Sequence, residues 1–163
     1  MIRAELILGT NEEDMQKALS IRREVFCQEQ NVPEDLEADG LDSSAFHVLV
    51  YYEGNPAATG RLTVMTGDST LKYVIGRVAV LPQYRGQRLG DLAVRLLIRT
   101  AYTMGGEEQL VHSQVPAVGF YEKLGFVTKS EVYEEAGIPH VTMVREGDIF
   151  GTCENANKTQ PGN

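Results

Sequence analysis

The densest concentration of chemically useful residues lies in VAVLPQYRGQRLGDLAVRLL, residues 78–97. An apolar run ends at Pro82, a turn carries Arg85, Gly86, Arg88 and Gly90, and apolar residues then recur at helical spacing. A strand that turns straight into a helix leaves the first-turn amides of that helix without intrahelical partners. Those donors and the helix dipole attract anions, above all phosphate. Gly86 and Gly90 allow backbone to approach a ligand, and the two arginines add charge. A βα turn with solvated arginines and no ligand has the same composition. Neither G-x-G-x-x-G nor G-K-[ST] is present, so the segment matches no dinucleotide fingerprint and no P-loop.

Charge is distributed unevenly along the 163 residues. The chain carries −8 overall, which disfavours nucleic acid and anionic membrane as partners. Residues 1–60 hold 12 acids and 4 bases, whereas residues 77–99 hold five arginines and one acid, Asp91. A basic island in an acidic protein implies a local anion site. Between Glu34 and Asp42 stand five acids without a base, either a solvated loop or an attractor for a cationic amine. Arg22 interrupts an apolar helical stripe; it either snorkels or pairs with a carboxylate, from Glu29 or from a substrate. Cys27 and Cys153 fit no metal spacing, and no disulfide framework is expected. With no secretory leader and no apolar run near the roughly 18 residues of a membrane span, the reading is cytoplasmic.

These residues need a scaffold, and the pattern supplies an alternating one. A strand over 3–8 leads to a helix capped by Thr10 with Glu13, bearing Met15, Ala18, Leu19, Val25 and Phe26 on one stripe. After the loop at 31–44 come an antiparallel pair, 45–52 and 58–65, and a strand over 73–81. A helix from Leu89 to Met104 stops at Gly105-Gly106. Then follow a strand over 109–115, a short helix from Pro116 to Gly125, and two strands in 126–149 joined around Glu135-Ala136-Gly137. The order β-α-β-β-β-α-β-α-β-β predicts an α/β fold: one domain over residues 1–150, a mixed sheet flanked by helices, then a polar tail over 151–163.

The stretch 78–97, together with HSQVPAVGFYEKLGFV at 112–127, resembles the GCN5-related N-acetyltransferases, the GNAT superfamily. IRREVFCQEQNVPEDLEADGLD and EEAGIPHVTMV resemble its ElaA-like branch. The family loop reads [QR]-x-x-G-x-[GA]; this chain has Arg85-Gly86-Gln87-Arg88-Leu89-Gly90, departing at Arg88. The resemblance implies acetyl-CoA as acyl donor and a small-molecule amine as acceptor. Val78, Ala79 and Val80 would offer backbone to the pantetheine arm, and Arg85 through Gly90 would cradle the pyrophosphate. Gln114, Phe120 and Lys123 would lie along the coenzyme. Tyr121 matches the family tyrosine that protonates the departing thiolate, although a packing role between Phe120 and Leu124 is the alternative. His112 shares a strand face with Gln114 and is a candidate base, with a water relay as its rival. Arg22, Glu29 and His140 are the candidate acceptor contacts, and His47 reads as structural. No metal is expected, and oligomeric state stays open, a homodimer included. The rival to a transferase is an acyl-CoA-binding sensor that kept the fold and lost the reaction.

Overall fold

The computed structural model describes residues 1–149; the polar tail and Cys153 fall outside them. The order is β1 (Ile2–Leu8), α1 (Glu12–Arg22), a π-helical extension (Arg23–Glu29), α2 (Glu34–Glu37), β2 (Phe46–Tyr52), β3 (Asn55–Thr66), β4 (Leu71–Val80), α3 (Leu89–Thr103), β5 (Glu108–Gln114), α4 (Val118–Glu122), β6 (Val127–Thr128), β7 (Tyr133–Glu135) and β8 (Ile138–Glu146). The sheet runs β1-β2-β3-β4-β5-β8-β6, with β7 on β8. All pairings are antiparallel except β4 with β5. A mixed α/β sheet between helices is thus the observed fold.

The period-two alternation of a strand sends successive side chains to opposite layers. In β2, Val48 and Val50 join the core beneath α3, with Leu62, Ile75, Ala93, Leu97 and Ile98. Leu49 and Tyr51 turn to the other layer, against Ile7, Met15, Ala18 and Ile21 of β1 and α1. Burial on both faces explains why β2 reads as continuously apolar.

Two boundaries differ from expectation. The cap of α1 is Asn11, whose side chain accepts the Asp14 amide at 3.2 Å, one position beyond Thr10. Past Arg22 the helix widens: the Gln30 amide bonds the Val25 carbonyl, five residues back, at 3.1 Å. Such π-segments are uncommon and concentrate at functional sites. Part of the acidic loop is also helical, as the single turn α2.

The sheet opens where the site forms. β4 and β5 pair only at Tyr73, Val74 and Ile75 against Gln109, Leu110 and Val111, then diverge. Beyond that point β4 carries a bulge. Thr59 faces Ala79 and Arg61 faces Gly76, so the extra residue falls in the segment containing Arg77, at φ +51°. Splayed parallel strands leave a wedge whose walls are strand edges with unpaired backbone groups.

Candidate active site

A cleft of about 980 Å³ fills that wedge. Its walls are Gly76–Val80 of β4, His112–Gln114 of β5, Phe120 and Tyr121 of α4, Gly90 of α3 and the β7–β8 turn. The π-segment and the acidic loop close its far end with Phe26, Glu37 and Asp39.

At the α3 end, the amides of Gly86, Gln87, Arg88, Leu89, Gly90 and Asp91 have no hydrogen-bond partner among the described residues; the first helical bond runs from Leu92 N–H to the Arg88 carbonyl at 3.2 Å. Unpaired amides at a helix N-terminus are donors of the kind that attract anions. Gly86 sits at φ +86° and Arg88 at φ +61°, both left-handed. The second value accounts for glycine in the family pattern at that position: the turn needs αL backbone, which costs an ordinary L-residue roughly 1–2 kcal/mol. Arg88 adopts it nonetheless. Its side chain is 80% exposed and approaches Asp91 at 3.8 Å, leaving its amide among those unpaired donors.

Along β4, the Leu81 amide bonds the Ala57 carbonyl toward β3 at 2.9 Å. Strand alternation then directs the N–H and C=O of Val80, and of Val78, away from β3 and into the cleft. The Ala79 side chain goes to the opposite core instead. The Val80 carbonyl accepts from Arg85 Nε at 3.1 Å. Arg85's other nitrogens form a fork on Glu29 at 2.7 and 2.6 Å. The Arg85 side chain, expected to face phosphate, is therefore directed to Glu29, and the loop's main-chain amides are the donors left without partners. Gln114 donates to Gln30 Oε1 at 2.8 Å, bridging β5 to the end of the π-segment. Lys123 is exposed and does not line the cleft.

Tyr121 is 8% exposed, packed edge-on against Phe120 and Phe126, with ring centroids 4.9 and 5.6 Å away. Its hydroxyl makes no hydrogen bond to the described residues, and Tyr121 lines the cleft. Burial pushes the phenol's pKa up, so it holds its proton at neutral pH. Sequence reasoning missed the residue that secures this helix. Arg145 of β8 is buried; its Nε donates to the Leu124 carbonyl at 2.7 Å and its Nη1 to Gln109 Oε1 at 3.2 Å. Only its alternation with buried Met143 hinted at an inward arginine.

The end of the cleft beside the acidic loop differs most from expectation. Arg22 neither snorkels nor meets Glu29. It is 1% exposed, off the cleft lining, and holds Glu37 at 2.5 Å and Asp42 at 2.8 Å. Arg61 grips Asp39 at 2.7 Å and Asp42 at 3.1 Å, while Arg77 reaches Glu37 at 3.5 Å and Asp39 at 3.3 Å. Three arginines thus neutralise three acids of the loop, which locks the loop onto β3 and β4 and leaves those acids no net attraction for a cation. Burial opposes ionisation of Asp39, but hydrogen bonds from Arg61 and the Leu41 amide outweigh it and lower its pKa to about 2. His47 is buried as expected of a structural residue; Nε2 donates to the Asp42 carbonyl at 2.9 Å, and burial pulls its pKa down.

Across the wedge, the cross-strand register sets Gln114 opposite His140 and His112 opposite Thr142. His140 Nδ1–H donates to the Ile138 carbonyl at 2.6 Å, its ring stacks on Tyr133, and Nε2 lies 3.5 Å from Glu135. His112 Nδ1 lies 2.9 Å from the Tyr133 hydroxyl and 3.2 Å from Thr142 Oγ1. Both histidines and Glu135 line the cleft.

Comparisons with known proteins identify the family and the fold. A family model described as an acetyltransferase (GNAT) domain matches residues 10–146. YjcF of Bacillus subtilis, named an uncharacterized N-acetyltransferase, is 33% identical over 141 residues, 86% of this chain and 98% of its own. The crystal structure of Escherichia coli ElaA superposes with a TM-score of 0.77 at 30% identity, covering 90% of this chain and all of that one. An acyl-CoA N-acyltransferase from Pseudomonas aeruginosa gives 0.76 at 28% identity over 89% and 99% of the two chains. The protein belongs to the GNAT superfamily, resembles its ElaA-like members, and is an N-acetyltransferase.

Proposed function

We propose that the protein moves the acetyl group of acetyl-CoA directly onto the amine of a small molecule, both being bound together, in the cytoplasm. One observation carries this reading: a single cleft joins the unpartnered amides at the α3 N-terminus, the free edge of β4 and the buried phenol of Tyr121. A pyrophosphate fits the cradle by charge and by donor count. The pantetheine arm fits beside Val78–Val80 as an added strand, the form in which an unpaired strand edge is satisfied. The donor supplies an activated thioester.

The remaining chemistry falls to this chain. As the amine nitrogen bonds the acetyl carbon, the Val80 amide is positioned to stabilise the charge that develops on the carbonyl oxygen. The carbon–sulfur bond breaks, and Tyr121 O–H gives its proton to the thiolate. Two imidazoles, His112 and His140, line the acceptor end and can take the amine's proton, directly or through water. Arg88, where the loop departs from the family pattern, takes αL backbone with its side chain outward, which is compatible with a working loop.

The test is thiol release over an amine panel with wild type and Tyr121→Phe. The expected result is a loss of about 100-fold or more in kcat with little change in acetyl-CoA affinity. Unchanged turnover would remove the acid role, and binding without transfer to any amine would favour the sensor.

A further inference from the structure

We propose that Arg77 is a recognition residue for an anionic group on the acceptor, so that the preferred amine also carries a carboxylate or phosphate. The inference rests on the acetyl-transfer reading for its name as an acceptor site, but the binding it describes stands apart from turnover.

Donors outnumber acceptors in the network that holds the acidic loop. Three arginines bring fifteen N–H donors to the loop network. Its three carboxylates are already shared: Glu37 between Arg22 and Arg77, Asp39 between Arg61 and Arg77, Asp42 between Arg22 and Arg61. Asp39 also takes the Leu41 amide. Donors remain in excess: Arg22 Nη2 is buried without a partner, and Arg77 Nε is buried 3.5 Å from Glu37 Oε1, outside hydrogen-bond geometry. Arg77 Nη2 is used by the Glu37 carbonyl and Asp39, while Nη1 has no partner among the described residues. Arg77 therefore keeps one guanidinium donor, Nη1, that no described residue satisfies and that an acceptor on a ligand would engage.

Only one of these two under-satisfied arginines reaches the cleft. Arg22 is sealed off, whereas the Arg77 side chain is 26% exposed and lines the cavity. The bulge at φ +51° places Arg77 just before Val78–Val80, on the acceptor side of the segment that would hold the donor. Burial, then the neighbouring charge of Arg61, leaves its cation less stabilised than a free one, which an incoming anion would correct. On the far side of the splay, Glu135 stands beside His140 Nε2 and suits the opposite charge. A cleft with an unsatisfied guanidinium donor on one wall and a carboxylate with imidazole on the other suits an ionised amino acid-like or aminophosphate molecule.

The test is calorimetric titration of the full chain, with coenzyme A present, using β-alanine, O-phosphoethanolamine and n-propylamine. These share a short primary amine and differ in the terminal group. Wild type is expected to bind one or both anionic probes about tenfold to hundredfold more tightly than propylamine, the range of a charge-assisted hydrogen bond. The preference between β-alanine and O-phosphoethanolamine separates carboxylate from phosphate. Arg77→Met should abolish the discrimination; Arg77→Lys should keep part of it, losing the planar fork. No preference for either anionic probe in wild type, or a preference that survives Arg77→Met, overturns the proposal. If circular dichroism shows Arg77→Met unfolded, the wild-type comparison and Arg77→Lys decide it. Wild type that discriminates yet releases no thiol refutes the transfer reading and leaves this one standing.

Discussion

Replacing Arg22 by Met removes a cation that is 1% exposed and shared by Glu37 and Asp42. The side chains are similar in length, so little buried volume is lost and the change is mainly electrostatic. Removing one partner of a buried ion pair costs about 3–5 kcal/mol, because the remaining charge stays desolvated without compensation. Here each orphaned carboxylate keeps a second arginine, Arg77 for Glu37 and Arg61 for Asp42, which argues for the lower end, about 3 kcal/mol. At roughly 2–4 °C per kcal/mol for a domain of this size, Tm should fall by about 6–12 °C. Urea denaturation at pH 7 reads the loss directly. Coupling is read from Glu37→Gln and the double variant: the pair should lose at least 1 kcal/mol less than the sum of the singles. A loss under 1 kcal/mol for Arg22→Met, or additive singles, would mean that the network does not anchor the loop.

Two further outcomes follow from backbone and protonation. Arg88→Gly relieves αL strain of roughly 1–2 kcal/mol but adds freedom to the unfolded chain, a cost of about 0.5–1 kcal/mol, so it should stabilise by up to about 1 kcal/mol in urea titration; the exposed Asp91 contact contributes little, and a destabilised variant would contradict the strain assignment. Stability should also decline on acidification in two windows. His47 has a folded pKa below its ordinary 6.5, so its contribution is complete above pH 6.5 and falls as pH drops below that value. Asp39, lowered to about 2 from 3.8, keeps its contribution above pH 3.8 and loses it between there and pH 2. Urea midpoints taken from pH 8 to pH 2 check both, and a midpoint that rises on acidification would contradict the signs.

The framework was legible in the sequence because its determinants are local. The apolar positions from Leu89 to Met104 mark one face of α3, and Gly105, at φ +97°, terminates the helix where a left-handed residue was expected. Tyr121 and the 85–90 loop were found through short motifs whose geometry is set within a few residues. What stayed hidden depends on partners distant in sequence. Arg22 finds Glu37 and Asp42, 15 and 20 positions away, and Arg85 finds Glu29, 56 positions away, so neither pairing follows from spacing along one helix. The choice of Asn11 over Thr10 is a one-residue decision between two good caps, and four-residue α2 has no capping side chain to announce it. The π-segment keeps its apolar residues near helical spacing while changing the hydrogen-bond step, a difference that side-chain pattern does not encode.

A crystal structure of the protein with coenzyme A bears most directly on the central claim. The account predicts diphosphate oxygens within hydrogen-bond distance of the amides between Gly86 and Gly90, with the sulfur beside the Tyr121 hydroxyl. A coenzyme bound elsewhere, or a diphosphate held by side chains while those amides face water, would contradict it.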